Sequence, residues 1–319
     1  MKLFTSVPVN PHDPKIDHHS KVFLMGSCFV ENIGEKLDYY KFQNLRNPFG
    51  ILYHPLALEN FLLKTLNGYE FTDADVFFHN ERWHCFAAHS VLSNASRENL
   101  VNDLNEQSRQ SLKFLKTATH IILTLGTSWV YRSKETEKTV ANCHKLPQNN
   151  FTKEIISVDE IERSLVSAIS SIRKINPEVQ IIFTISPVRH FKDGVVENQQ
   201  SKAHLISALH KVLKETEWNT SYFPAYEIMM DELRDYRFYA EDMLHPNATA
   251  IQFIWIKFTA AWCSEDAMST ITEIEQIQRG LTHRSFNEFS DAHQEFLRKL
   301  ENKIKSINSQ FPHIKFRGS

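Results

Sequence analysis

The sequence predicts an α/β protein built on a doubly wound, mostly parallel sheet, and three short apolar runs carry that prediction. Residues 22–25 (VFLM) form a continuous apolar run, and 120–125 (HIILTL) and 180–185 (QIIFTI) are predominantly apolar rather than alternating, the pattern of strands covered on both faces. Each run stops at an abrupt polar turn: Gly26-Ser27, Gly126-Thr127-Ser128, and Ser186-Pro187-Val188-Arg189-His190. Amphipathic helical stretches follow, and this repeated strand, turn, helix order places ligands at the carboxyl ends of the strands.

Taken in order, residues 1–20 form an irregular arm, since Pro8, Pro11 and Pro14 exclude a regular helix. The run at 22–25 leads into a helix carried by Val30, Ile33, Leu37 and Tyr40. Ser27 and Cys28 therefore lie where a strand's carboxyl end meets a helix's amino end, where free N–H groups and the helix dipole favour an oxyanion. Ser27 is the candidate nucleophile there, with simple helix capping as its competing role. Residues 42–45 read as a second short strand that ends in the Asn47-Pro48-Phe49-Gly50 turn, whose Gly50 can bring a backbone N–H close to a ligand.

A helix is expected over 56–66, and 76–86 read as a hairpin turning at Asn80-Glu81. Ser96 caps a helix with Leu100, Leu104, Leu112 and Leu115 on its apolar face, and 129–145 suggest a second hairpin. Ser157-Val158-Asp159-Glu160 matches a capping box ahead of Ile161, Leu165, Ile169 and Ile172. Further along, a helix over 200–214, a last strand over 222–228 and a helix from His245-Pro246 through Trp262 are expected. Residues 265–279 and 285–307 read as polar helices forming a hairpin or lid, which divides the chain into an α/β body, 1–264, and a helical extension, 265–319, packed on it.

At 319 residues, with 42% hydrophobic and 23% charged side chains, the chain has room for one large α/β body plus that appendage. A net charge of -2 gives no electrostatic argument for nucleic acid or an anionic membrane, and no apolar run reaches membrane-spanning length. Four scattered cysteines suit a reducing compartment, and the amino terminus shows no signal-peptide core, so a cytoplasmic protein is expected. His84-Cys85 and Cys143-His144 do not form a metal-ligand pattern.

The second informative stretch is 240–247 (AEDMLHPN), in which Asp242 and His245 stand three residues apart just ahead of a helix. One turn can hold the carboxylate against Nδ1 of the imidazole, fixing its tautomer and leaving Nε2 to take a proton from a nucleophile. The pair falls after the last expected strand, as Ser27 falls after the first.

With those residues placed, the chain resembles the SGNH (GDSL-like) hydrolase superfamily and specifically its GSCFA branch. The resemblance rests on Gly26-Ser27-Cys28-Phe29 and on NPFG at 47–50, LGTSWVY at 125–131, ANCHK at 141–145, SPVRH at 186–190, NQQSKAH at 198–204 and DMLHPN at 242–247. It implies a flavodoxin-like sheet with Ser27 as nucleophile, His245 as base and Asp242 as its orienting partner. The superfamily's Gly-x-Asn-Asp block reads Gly126-Thr127-Ser128-Trp129 here, so its amide donor is missing. Backbone N–H groups of Ser27 and Gly50, with Ser128 or Asn142 as a third donor, are the expected oxyanion hole. His144, Lys145, Arg189 and His190 are expected to line the crevice and grip substrate, and Cys28 is assigned to packing or tuning. The implied activity is hydrolysis of an O-acyl ester on a small molecule or carbohydrate, without metal or organic cofactor. Transfer of the acyl group to a bound alcohol, or ligand binding with little turnover, are the alternatives.

Overall fold

The computed structural model describes residues 5–215 and 219–316. Its elements, in chain order, begin with β1 (Lys21–Gly26), α1 (Phe29–Tyr39), β2 (Gln43–Arg46), α2 (Pro55–Leu66), β3 (Val76–His79), β4 (Arg82–Cys85) and α3 (Arg97–Leu115). They continue with β5 (His120–Leu125), β6 (Trp129–Ser133), β7 (Thr139–Val140), β8 (Phe151–Ile155), α4 (Val158–Ile175), β9 (Gln180–Ile185), α5 (Val195–Glu215) and β10 (Thr220–Tyr222). The chain closes with the single turn α6 (Ala225–Glu227), α7 (Ala248–Trp262), α8 (Glu265–Thr282) and α9 (Asp291–Gln310).

The central sheet has five strands in the order β10-β9-β5-β1-β2, and every neighbouring pair is parallel. Its residues alternate between two cores. Phe23, Met25, Ile121, Leu123, Ile181 and Phe183 pack with α2, α3, α4 and α5 on one face. Val22, Leu24, Ile122 and Ile182 pack with α1, α7 and the carboxyl-terminal helices on the other. Burial on both faces explains why β1, β5 and β9 are predominantly apolar.

Two antiparallel insertions decorate this frame. β3 and β4 pair around Asn80 and Glu81, both at positive φ, the geometry of a tight primed turn. The second insertion has three strands, with β6 between β7 and β8. The sequence suggested only its first two, because Lys153 and Glu154 give β8 a polar, exposed pattern.

Caps are local and mostly as read. Ser96 accepts from the Asn99 N–H and Ser157 from the Glu160 N–H, while the Glu160 carboxylate faces Arg132 at 2.8 Å rather than closing a capping box. Two expected boundaries are corrected. The last strand lies at 220–222, since Phe223 makes one more bond to Phe183 O and Pro224 then turns the chain into a helical turn. α7 starts at Ala248 with Asn247 as its N-cap, which leaves His245 and Pro246 in the preceding loop.

The α8–α9 hairpin shares the α1–α7 core through Ile274, Ile277, Ile304, Ile307 and Phe311. It docks at the far end of α1, where Gln278 donates to Tyr39 O at 3.1 Å and Phe311 lies 5.3 Å from the His18 ring. Of the two expectations, hairpin or lid, the hairpin is the one seen, packed at the opposite end of α1 from Cys28.

Candidate active site

The site begins where β1 ends. Gly26 has a φ of +140°, and a Cβ there would lie 2.1 Å from the Thr124 carbonyl oxygen, so only glycine lets β1 run this close to β5. Ser27 still follows the strand's path. Its N–H donates to Thr124 O at 3.1 Å, its side chain is fully buried, and its Oγ has no hydrogen-bond partner. One residue later the backbone turns helical, with Cys28 as the N-cap of α1, and the side chain swings to the other side of the corner.

His245 meets that second side chain. Its Nε2 lies 3.7 Å from Cys28 Sγ, and its Nδ1 lies 2.5 Å from Asp242 Oδ2. Asp242 Oδ1 also accepts the N–H groups of His245 and Leu244, both at 2.9 Å. These two backbone bonds and then the imidazole hold its carboxyl down to about 2. An ionised carboxylate can only accept, so Nδ1 carries the ring proton and Nε2 is left to accept from the thiol. The Asp242–His245 pairing has the geometry its spacing suggests. Of the two corner side chains, Cys28 is the one within reach of Nε2, while the expected nucleophile Ser27 has its Oγ buried and unpartnered.

Burial pushes the Cys28 thiol up, opposed by the Lys202 charge and by the N–H groups of Cys28 and Phe29. Lys202 is fully buried beneath the sheet edge and donates to Gly126 O at 2.7 Å and Ser186 O at 2.8 Å. Burial brings its ammonium down to about 7. His190, above it, is pushed down to about 4 by burial and by Lys202, and stands edge-on to the Tyr53 ring at 5.6 Å.

The expected oxyanion donors are largely committed elsewhere. The Ser27 N–H is bonded to Thr124, and the Gly50 N–H closes its own turn on Asn47 O at 2.7 Å. Ser128 is fully buried, its N–H donating to Ser201 Oγ at 2.8 Å and its hydroxyl to Ser201 O at 3.2 Å. Asn142 accepts from the His144 N–H at 2.8 Å and from the Ser90 hydroxyl at 3.3 Å. It lines a cleft of about 480 Å³ with Tyr53, Thr127, Trp129, Lys145 and His190. His144 belongs to the loop's scaffold: its Nε2–H donates to Cys85 O at 2.8 Å, and burial pushes it down to about 4. Arg189 points to the other side, stacked 4.8 Å from Phe191 and 5.2 Å from Tyr239, and lines a second cleft of about 510 Å³.

Sequence reasoning missed Tyr53 and Lys202 and gave Cys28 a lesser part. Lys202 had a legible signal, since it falls on the buried stripe of α5 with Asn198, Leu205 and Leu209, where a lysine is out of place. Among the described residues, no three His, Cys, Asp or Glu side chains converge on a possible metal position, and no helix is long and apolar enough to cross a membrane.

Comparison with solved structures finds a family 3 carbohydrate esterase from Talaromyces cellulolyticus, with 10% identity, a TM-score of 0.36, and coverage of 81% of this chain and 99% of that one. An acetyl xylan esterase from the rumen bacterium Butyrivibrio proteoclasticus matches with 10% identity and a TM-score of 0.38 over 80% of this chain and 64% of that one. At such low identity and overlap, neither likeness extends to the chemistry. No curated protein matches the sequence. Residues 274–318 match the C-terminal domain of GSCFA domain proteins, and residues 21–258, from β1 to within α7, match the GSCFA family. The chain belongs to the GSCFA family.

Proposed function

We propose that this protein is an acyl-ester hydrolase whose nucleophile is the Cys28 thiol, with His245 as its base and Asp242 as the orienting carboxylate. One observation carries the reading: Cys28 Sγ lies 3.7 Å from an imidazole nitrogen whose opposite nitrogen is fixed by a carboxylate at 2.5 Å. Nucleophile, base and orienter in that order are the working unit of covalent acyl transfer.

In the forward step, the thiol proton passes to His245 Nε2 and the sulfur attacks the ester carbonyl carbon. The resulting oxyanion forms at the amino end of α1, where the dipole and the Cys28 N–H favour negative charge. Collapse breaks the carbon–alkoxide bond, the imidazolium returns its proton to the leaving oxygen, and a thioester remains on Cys28. Water then gives its proton to Nε2 and attacks the thioester, releasing the acid and restoring the thiol. The burial that raises the thiol means base assistance by His245, rather than a resting thiolate, drives the first step. The cleft of about 480 Å³ lined by Tyr53, which lies in the field of Cys28, and by His190 is roomy enough for a small acyl ester or a sugar-sized leaving group.

The test is labelling with iodoacetamide and with an activated acetyl ester, read by intact mass and peptide mapping. A single adduct on Cys28 is expected, absent from Cys28→Ala, kept in Ser27→Ala and slowed in His245→Ala. The acetyl adduct should be released by neutral hydroxylamine, as a thioester is. An acetyl adduct mapped to Ser27 would overturn the thiol assignment, and added alcohol that diverts acetate into a new ester would turn the hydrolase into a transferase.

A further inference from the structure

The geometry points to an anion-binding site at Arg189: the cleft of about 510 Å³ that it lines fits a ligand joining a carboxylate or phosphate to a ring. This site does not depend on the thiol reading above. Arg189 follows β9, and the next residue, His190, lines the other cleft, so the two neighbouring side chains serve different spaces. The guanidinium lies 4.8 Å from the Phe191 ring and 5.2 Å from the Tyr239 ring. Aromatic contact engages the plane of a guanidinium and leaves its edge, where the N–H donors lie, for an oxyanion. That edge is unclaimed. The Arg189 Nε is buried with no hydrogen-bond partner, and among the described residues no carboxylate pairs with the guanidinium.

A buried cationic donor without a partner is costly, and the cleft is where a partner can reach it. The other charges on the cleft do not fill that role. Asp235 accepts the Arg237 N–H at 2.9 Å and pairs with the Arg237 guanidinium at 3.6 Å. Asp231 and Arg234 are exposed on the rim and opposite in sign, which leaves Arg189 as the uncompensated charge. The rest of the lining suits a ring, since Tyr226, Tyr236 and Tyr239 offer aromatic surface and Met230 an adaptable apolar contact. Gln199 adds a donor, because its Oε1 takes the Tyr226 hydroxyl at 3.2 Å and its amide nitrogen makes no bond among the described residues. A few placed polar groups in a largely apolar cleft set the orientation of a small ligand.

The test titrates phenyl phosphate and benzoate, with benzamide and inorganic phosphate as controls, into the wild type, Cys28→Ala and Arg189→Gln by calorimetry. Both ring anions should bind the wild type and Cys28→Ala alike, bind Arg189→Gln about tenfold more weakly, and lose affinity as salt is raised. The tighter of the two assigns the anion. Inorganic phosphate should bind more weakly than phenyl phosphate, and equal affinities would overturn the ring-bearing ligand. Absence of binding by either ring anion, benzamide bound as tightly as benzoate, or an affinity unchanged in Arg189→Gln that circular dichroism shows to be folded, would overturn the site. If that variant does not fold, the wild type decides by NMR. The Arg189 Nε–H resonance should move as phenyl phosphate is added, and a resonance unmoved while the protein saturates would place the ligand elsewhere and overturn the proposal. Cys28 that fails to acylate leaves this binding in place, and loss of this binding leaves Cys28 acylation in place.

Discussion

At the scale of single residues, the corner between β1 and α1 sends two neighbouring side chains into different surroundings. Ser27 and Cys28 are adjacent, yet the hydroxyl is sealed without a partner and the thiol faces the His245 imidazole. A buried unpaired hydroxyl costs about 1–3 kcal/mol, so Ser27→Ala should melt at the same temperature as the wild type or higher and keep its turnover within about twofold. Cys28→Ala should lose turnover altogether, and an ester-hydrolysis assay beside a thermal melt reads both. Lys202 makes a pH prediction. Its folded value lies near 7 and its ordinary value is 10.5, so between those limits the unfolded chain binds the proton more readily. Stability should therefore rise with pH across that window. Chemical denaturation at pH 6.5 and 9 should show the rise in wild type and a flatter response in Lys202→Met.

Elements set how closely the site's loops approach one another. Gly126 sits where β5 ends, and a Cβ there would stand 2.9 Å from Tyr53 O and 3.2 Å from Ser27 Cβ. The Tyr53 carbonyl cannot retreat easily, because it accepts the N–H groups of Gly126 at 2.8 Å and Thr127 at 3.0 Å. Gly126→Ala should therefore cost about 1–3 kcal/mol, lowering the denaturation midpoint. The elements most legible in the sequence were β1, β5 and β9, because burial on both faces writes a predominantly apolar run. β8 was not legible: its Thr152 and Lys153 face solvent and its identity as a strand comes from pairing with β6, which no local pattern records.

For the whole molecule, the carboxyl-terminal hairpin is part of the core rather than a cover for the site. Phe311 is 5% exposed and packs with His18 and the α1–α7 layer. Phe311→Ala should destabilise the protein by about 3–5 kcal/mol, with the α/β body and the hairpin still melting in one transition. Two separate transitions in calorimetry would sink the idea of a shared core. The amino-terminal arm closes the same seam, since Ile16 bonds to Trp262 O at 2.7 Å and accepts from Ser264 at 3.1 Å.

The sequence by itself determined the doubly wound frame and the Asp242–His245 contact, because each depends on local periodicity or on a spacing of three residues. Only the tertiary structure decided which side chain His245 meets, that the Ser128 donors are already taken by Ser201, and that Lys202 reaches Gly126 O. Those outcomes turn on the direction a side chain takes at a strand-to-helix corner and on contacts between residues from 73 to 217 positions apart, from Ser128–Ser201 to Cys28–His245. Local sequence carries no record of either.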